Sequence, residues 1–144
     1  MKRIFAYSLL VFLISAVGCG TGTHKGNGNQ SAASDTGKAV ISFTEYEHDF
    51  GKVKAGEKAT CLFSFSNTGT ADLIVNSAVA SCGCTMPKYS GKPVGPGKTG
   101  TIKVSFDTSG RNGIQTKTIT VRSNATMPVV ILKITTEVIN INNN

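Results

Sequence analysis

At 144 residues the chain has room for one domain. Its 15 Lys and Arg against 8 Asp and Glu give a formal net charge of +7. The cations fall singly along the chain, with no runs and no interleaved aromatic residues, which argues against nucleic acid as a partner.

The chain opens on Lys2 and Arg3, followed by an apolar run from Ile4 to Val17. A membrane-spanning helix needs roughly 20 apolar residues, so this run is too short to span and fits the core of a secretory signal. It ends in Ala16-Val17-Gly18-Cys19. Small residues ahead of a cysteine suit a peptidase that cleaves after the thiol is acylated, and the segment resembles the lipobox of bacterial lipoproteins. The expectation is a signal peptide over 1–18, lipidation at Cys19, and attachment to the membrane through that lipid, each acyl chain burying methylenes at ~0.8 kcal/mol apiece. Loss of Lys2 and Arg3 leaves 13 cations against 8 acids, or +5.

Gly20 to Lys38 holds no large apolar side chain. With Cys19 it reads as a flexible linker over 19–38, whose r.m.s. reach is about 25 Å. His24 within it reads as solvated. No acidic cluster follows Cys19. Clusters of that kind resemble surface-export signals, so the expected location is the periplasm-facing outer membrane.

From Ala39 onward the dominant period is two. Cys61, Phe63 and Phe65 alternate with Ser, Thr and Leu62; Ile102, Val104 and Phe106 alternate with Thr, Lys and Ser; Ile119 and Val121 do likewise, and Val130, Leu132, Ile134 and Val138 share one face. That alternation predicts half-buried antiparallel strands near 40–45, 47–53, 58–66, 72–80, 99–107, 115–122 and 129–139. The 72–80 segment is out of phase with itself: it is either covered on both faces or bulged. Asn67-Thr68-Gly69-Thr70 reads as the turn of a hairpin, and Gly95-Pro96-Gly97 and Ser109–Gly113 as further turns. About seven short strands over 39–141 predict an all-β, immunoglobulin-like antiparallel β-sandwich.

Three segments carry a family resemblance: His48-Asp49-Phe50-Gly51 with Gly56-Glu57; Phe63-Ser64-Phe65-Ser66-Asn67-Thr68-Gly69; and Ser81-Cys82-Gly83-Cys84-Thr85 with Pro96-Gly97. Together they resemble the secreted proteins grouped as domain of unknown function 1573, over residues 43 to 138. That grouping resembles the Ig-like sandwiches of the major-sperm-protein and ASH type. The resemblance implies the fold and an extracytoplasmic setting, and no reaction. Cys61 falls outside the family pattern.

Among individual residues, His48 and Asp49 are adjacent in a strand and point to opposite faces, so a catalytic pair is disfavoured; the expectation is a strand entering a turn, with Phe50 buried and Gly51 in a backbone shape other residues resist. Glu45, Glu47 and Asp49 alternate and would share a face, reading as a solvated stripe. Asn124-Ala125-Thr126 matches a glycosylation acceptor. Cys82-Gly83-Cys84 with Met86 leaves four readings open: a disulfide between Cys82 and Cys84, a disulfide of either with Cys61 as a further thiol, a soft Cu(I) site, or a thiol-exchange site. A hairpin at Gly69 would put Cys61 opposite residue 78, some ~13 Å short of Cys82. No phosphate loop, nucleophile elbow or zinc-protease motif is present. The sequence therefore predicts a binding or scaffolding module without catalytic activity or cofactor, whose partner is an envelope protein or glycan. The alternative is a Cu(I)- or thiol-handling protein centred on Cys82 and Cys84.

Overall fold

The computed structural model describes residues 37–140. The signal segment, Cys19, His24 and all of the linker but its last two residues lie outside them. The described chain forms eight strands: β1 (Ile41–Phe43), β2 (Glu47–Lys54), β3 (Lys58–Asn67), β4 (Val75–Ala80), β5 (Thr85–Tyr89), β6 (Thr99–Asp107), β7 (Gly113–Ser123) and β8 (Val129–Ile139). They make two four-stranded sheets, β1-β3-β6-β5 (sheet A) and β2-β8-β7-β4 (sheet B). This is the expected all-β sandwich, with eight strands in place of about seven.

The period-two residues build its interior. Cys61, Phe63 and Phe65 on β3 and Ile102, Val104 and Phe106 on β6 face Ile119 and Val121 on β7 and Leu132 and Ile134 on β8 in one core. Phe63, Ile102, Val104, Phe106, Ile119 and Leu132 are completely buried. Burying each such side chain contributes roughly 1.5–3 kcal/mol, which is why the alternation dictates the sheet faces.

Four details depart from the sequence reading. First, β2 pairs with β8 in parallel, whereas the other pairings are antiparallel. The chain turns back between β2 and β3 at Gly56 (φ 91°), where Glu57 N–H donates to the Lys54 carbonyl at 3.1 Å. No reversal separates β1 from β2, so the chain runs on from one sheet to the other in the same direction.

Second, His48-Asp49-Phe50-Gly51 does not enter a turn but lies within β2. A register irregularity between Asp49 and Lys52 is a bulge, and Gly51 takes φ 64° there, a backbone shape that favours glycine. The Gly51 N–H donates to Asp49 Oδ1 at 2.8 Å and Thr136 Oγ1 donates to its carbonyl at 2.8 Å.

Third, Asn67–Thr70 closes no hairpin. β3 and β4 lie in different sheets, and Cys61 stands opposite Val104, not residue 78. The segment crosses between sheets around the wholly buried Asn67. Asn67 Nδ2 donates to the carbonyls of Ala71 (2.7 Å) and Val94 (2.8 Å), and Oδ1 accepts from Gly69 N–H (3.0 Å) and Val40 N–H (3.3 Å). A buried amide satisfied on both ends holds β1, the crossing loop and the segment before β6 together.

Fourth, β5 was not expected. Pro87 in its centre argues against a strand, but β5 is an edge strand, where a missing N–H is tolerated. The out-of-phase 72–80 segment resolves into a bulge between Val75 and Ser77. Before it, Leu73 and Val75 are buried; after it the phase flips, so Ala78 and Ala80 pack on the core while Val79 points out.

Candidate functional site

The chain leaves sheet B at Ala80 and enters sheet A at Thr85, so Ser81–Cys84 forms the corner between them. The corner is hydrogen-bonded at both ends. Ser81 N–H donates to the Thr118 carbonyl (2.9 Å), and Asp107 N–H donates to the Cys84 carbonyl (2.9 Å). Thr85 N–H donates to the Cys82 carbonyl at 3.2 Å, closing a tight turn. Across that turn Cys82 and Cys84 are joined by a disulfide, with Cα atoms 5.3 Å apart. The buried Thr85 hydroxyl lies 3.5 Å from Cys82 Sγ and 3.9 Å from Cys84 Sγ. Both cysteines are half-buried, and Cys84 packs on the core. Gly83 between them is exposed, with nothing near the position a Cβ would take. Met86 follows on β5, opposite Ser105, exposed on the outer face of sheet A. In this oxidised form neither sulfur is a thiolate, so a soft-metal site would first require reduction of the pair.

Cys61 does not join that corner. It is buried and is the free thiol among the described residues. Burial, reinforced by the charge of Glu45, pushes its thiol up to about 11, which makes it unreactive as a nucleophile at neutral pH.

The other sequence candidates are likewise separated. His48 packs edge-on against Phe50 and Phe63, with Nδ1 3.1 Å from Glu45 Oε1. Phe50 is only half-buried. Glu45, Glu47 and Asp49 are all exposed, and each has its own contact: Glu45 meets His48, Glu47 meets Lys133 at 2.6 Å, and Asp49 accepts from Gly51. Among the described residues no three His, Cys, Asp or Glu side chains converge as a metal cluster. Asn124 has its amide built into the fold, accepting from Ile74 N–H (2.8 Å) and donating to the Asp72 carbonyl (2.9 Å).

A feature the sequence reading did not pick out lies on the outer face of sheet B. Ile131 of β8 stands opposite Thr120 of β7, and Thr120 opposite Val79 of β4. Ile131 is 60% and Val79 61% exposed, and Val129 on the same face of β8 is 37% exposed. The signal was present in Val129-Val130-Ile131-Leu132, an unbroken apolar run where alternation would have placed polar residues. The flip of phase at the β4 bulge, which turns Val79 outward, had no equally clear sequence signal.

This architecture is an Ig-like β-sandwich of two four-stranded sheets. The chain belongs to the family described as Protein of unknown function (DUF1573), whose pattern matches residues 41–138. A search of curated proteins finds no match. Among solved structures, a protein of unknown function from Porphyromonas gingivalis is similar at a TM-score of 0.63 and 17% identity, covering 76% of this chain and 51% of that one. The present chain thus spans about half the length of that protein. An ASH/PapD-like domain of human CEP192 matches at a TM-score of 0.58 and 10% identity, over 72% of this chain and 87% of that one. The secreted serine protease VesC from Vibrio cholerae matches at 0.54 and 15% identity, over 69% of this chain but 23% of the protease. At these identities the similarities speak to the fold alone.

Proposed function

We propose that this protein is a lipid-anchored envelope module that binds a partner protein and catalyses no reaction. The observation that carries the reading is the row Ile131, Thr120 and Val79, which leaves large apolar side chains in water on a sheet whose other face is already packed. Grouped exposure of that kind marks interaction surfaces more often than isolated apolar residues do. The anchoring half of the reading rests on the sequence alone: the charged start, the short apolar run, the small residues before Cys19 and the polar linker support cleavage there and a sandwich tethered to the periplasm-facing outer membrane. Capture from envelope extract tests the binding half. The full chain should retain a reproducible partner that Val79→Glu/Ile131→Glu loses by about tenfold or more, as expected when charge is placed at the centre of an apolar contact. A partner retained equally by the variant would defeat the assignment of this face.

A second reading follows from the half-buried disulfide at the sheet-switch corner. There Cys82–Cys84 would exchange with an external dithiol, each pair of thiols being oxidised as the other disulfide is reduced. Cys82→Ser/Cys84→Ser separates the two readings. Partner capture survives that change if the face binds, and is abolished if the corner does the work.

A further inference from the structure

Lys88 of β5 stands directly opposite Lys103 of β6. Directly opposed residues in an antiparallel pair project from the same face, and like charges so placed repel. Both lysines are exposed. Among the described residues, neither belongs to an ion pair. Lys92, on the segment after β5, joins them around a groove of about 580 Å³ that no Asp or Glu lines. Tyr89 forms part of its wall, and its hydroxyl is fixed by donation to the Asn76 carbonyl at 3.0 Å. The Thr101 hydroxyl borders the groove too. Gly100, also at its border, lets the Phe65 ring lie against β6, because a Cβ there would run into that ring. The fold thus maintains an uncompensated cationic pair beside a concave, hydroxyl- and aromatic-bordered surface.

We infer that this groove binds an anionic saccharide, a short sugar chain bearing carboxylate or sulfate groups. Its volume falls within the roughly 300–1,000 Å³ of small-molecule sites, which suits a few sugar rings better than the plane of a membrane. Lysines supply point charges on flexible stems, without the bidentate fork that fixes one carboxylate geometry. They therefore suit anionic groups repeated along a hydroxyl-rich chain. An acidic peptide adding to the β5 edge is disfavoured, because Pro87 at its centre has no N–H to offer. The inference concerns sheet A and is independent of the partner face on sheet B.

Titration of the full chain with a galacturonate tetramer tests it, with maltotetraose, a glutamate tetrapeptide and phosphatidylglycerol vesicles as separate arms. The expected result is saturable binding of the galacturonate alone, weakening as salt is raised. Lys88→Gln/Lys103→Gln should bind about tenfold more weakly yet be at least as resistant to urea as the parent, since relieving a like-charge pair stabilises a sheet. Lys117→Gln and Val79→Glu/Ile131→Glu should bind as the parent does. Absence of galacturonate binding, equal binding of maltotetraose, or binding unchanged in Lys88→Gln/Lys103→Gln would overturn the proposal. Tighter binding of the peptide or the vesicles would overturn it as well, by assigning the lysines to another ligand class.

Discussion

Asn67 spends its whole side chain on backbone. Its four hydrogen bonds tie together residues 40, 69, 71 and 94, and no water reaches it. Removing the amide leaves buried backbone groups unpaired at about 1–3 kcal/mol each, so Asn67→Ala should lose about 3 kcal/mol or more in urea unfolding. Asn124 makes two comparable bonds from an exposed position, where water can replace the lost partner, and Asn124→Ala should lose only about 1 kcal/mol. Equal losses would refute the distinction. Cys61 makes a prediction in pH. Burial lifts its thiol to about 11 when folded, against an ordinary 9.0, so between those values the unfolded chain has given up a proton that the folded chain still holds. Folding stability should therefore be unaffected below pH 9 and fall as pH rises, by on the order of 2 kcal/mol near pH 11. Cys61→Ala should remove that alkaline slope whatever it does to absolute stability. An unchanged slope would show that other groups cause it.

At the scale of elements, the Ser81–Cys84 corner is a local device. A disulfide closing so short a loop constrains little of the unfolded chain, so Cys82→Ser/Cys84→Ser should cost at most about 2 kcal/mol by the loop-entropy relation. The loss should appear in hydrogen exchange as faster opening of the Ser81–Thr118 and Cys84–Asp107 bonds, with the β3–β6 ladder unmoved. Legibility in the sequence followed the same division. β3, β6, β7 and β8 were readable because each buries one face and exposes the other over many residues. β5 was hidden by Pro87, and the sheet-crossing role of Asn67 was hidden because a tight hairpin turn and a crossing loop draw on the same Asn and Gly chemistry. Sequence separation alone left the cysteine pairing open. The topology bears on it by moving β3 away from β4, which places Cys61 opposite Val104 in the core.

At the scale of the molecule, the sandwich has one core and two outer faces of different character. The outer face of sheet A carries the row Leu62, Lys103 and Lys88 with Met86 beside it, and that of sheet B carries Ile131 and Val79 around Thr120. The inner faces explain folding, and Phe106→Ala should cost about 3–5 kcal/mol because it empties a fully buried site. The outer faces are free of that duty, and the directly opposed lysines, present on sheet A, are the basis for assigning the two faces different ligands. The central claim is that sheet B meets a partner in the envelope. A photo-crosslinking side chain at position 131, expressed in living cells, tests it most directly, with the same side chain at position 64 on sheet A for comparison. One discrete adduct from position 131, absent from position 64, is the predicted result. Uncrosslinked chain alone at position 131, or the same adducts from both faces, would contradict it.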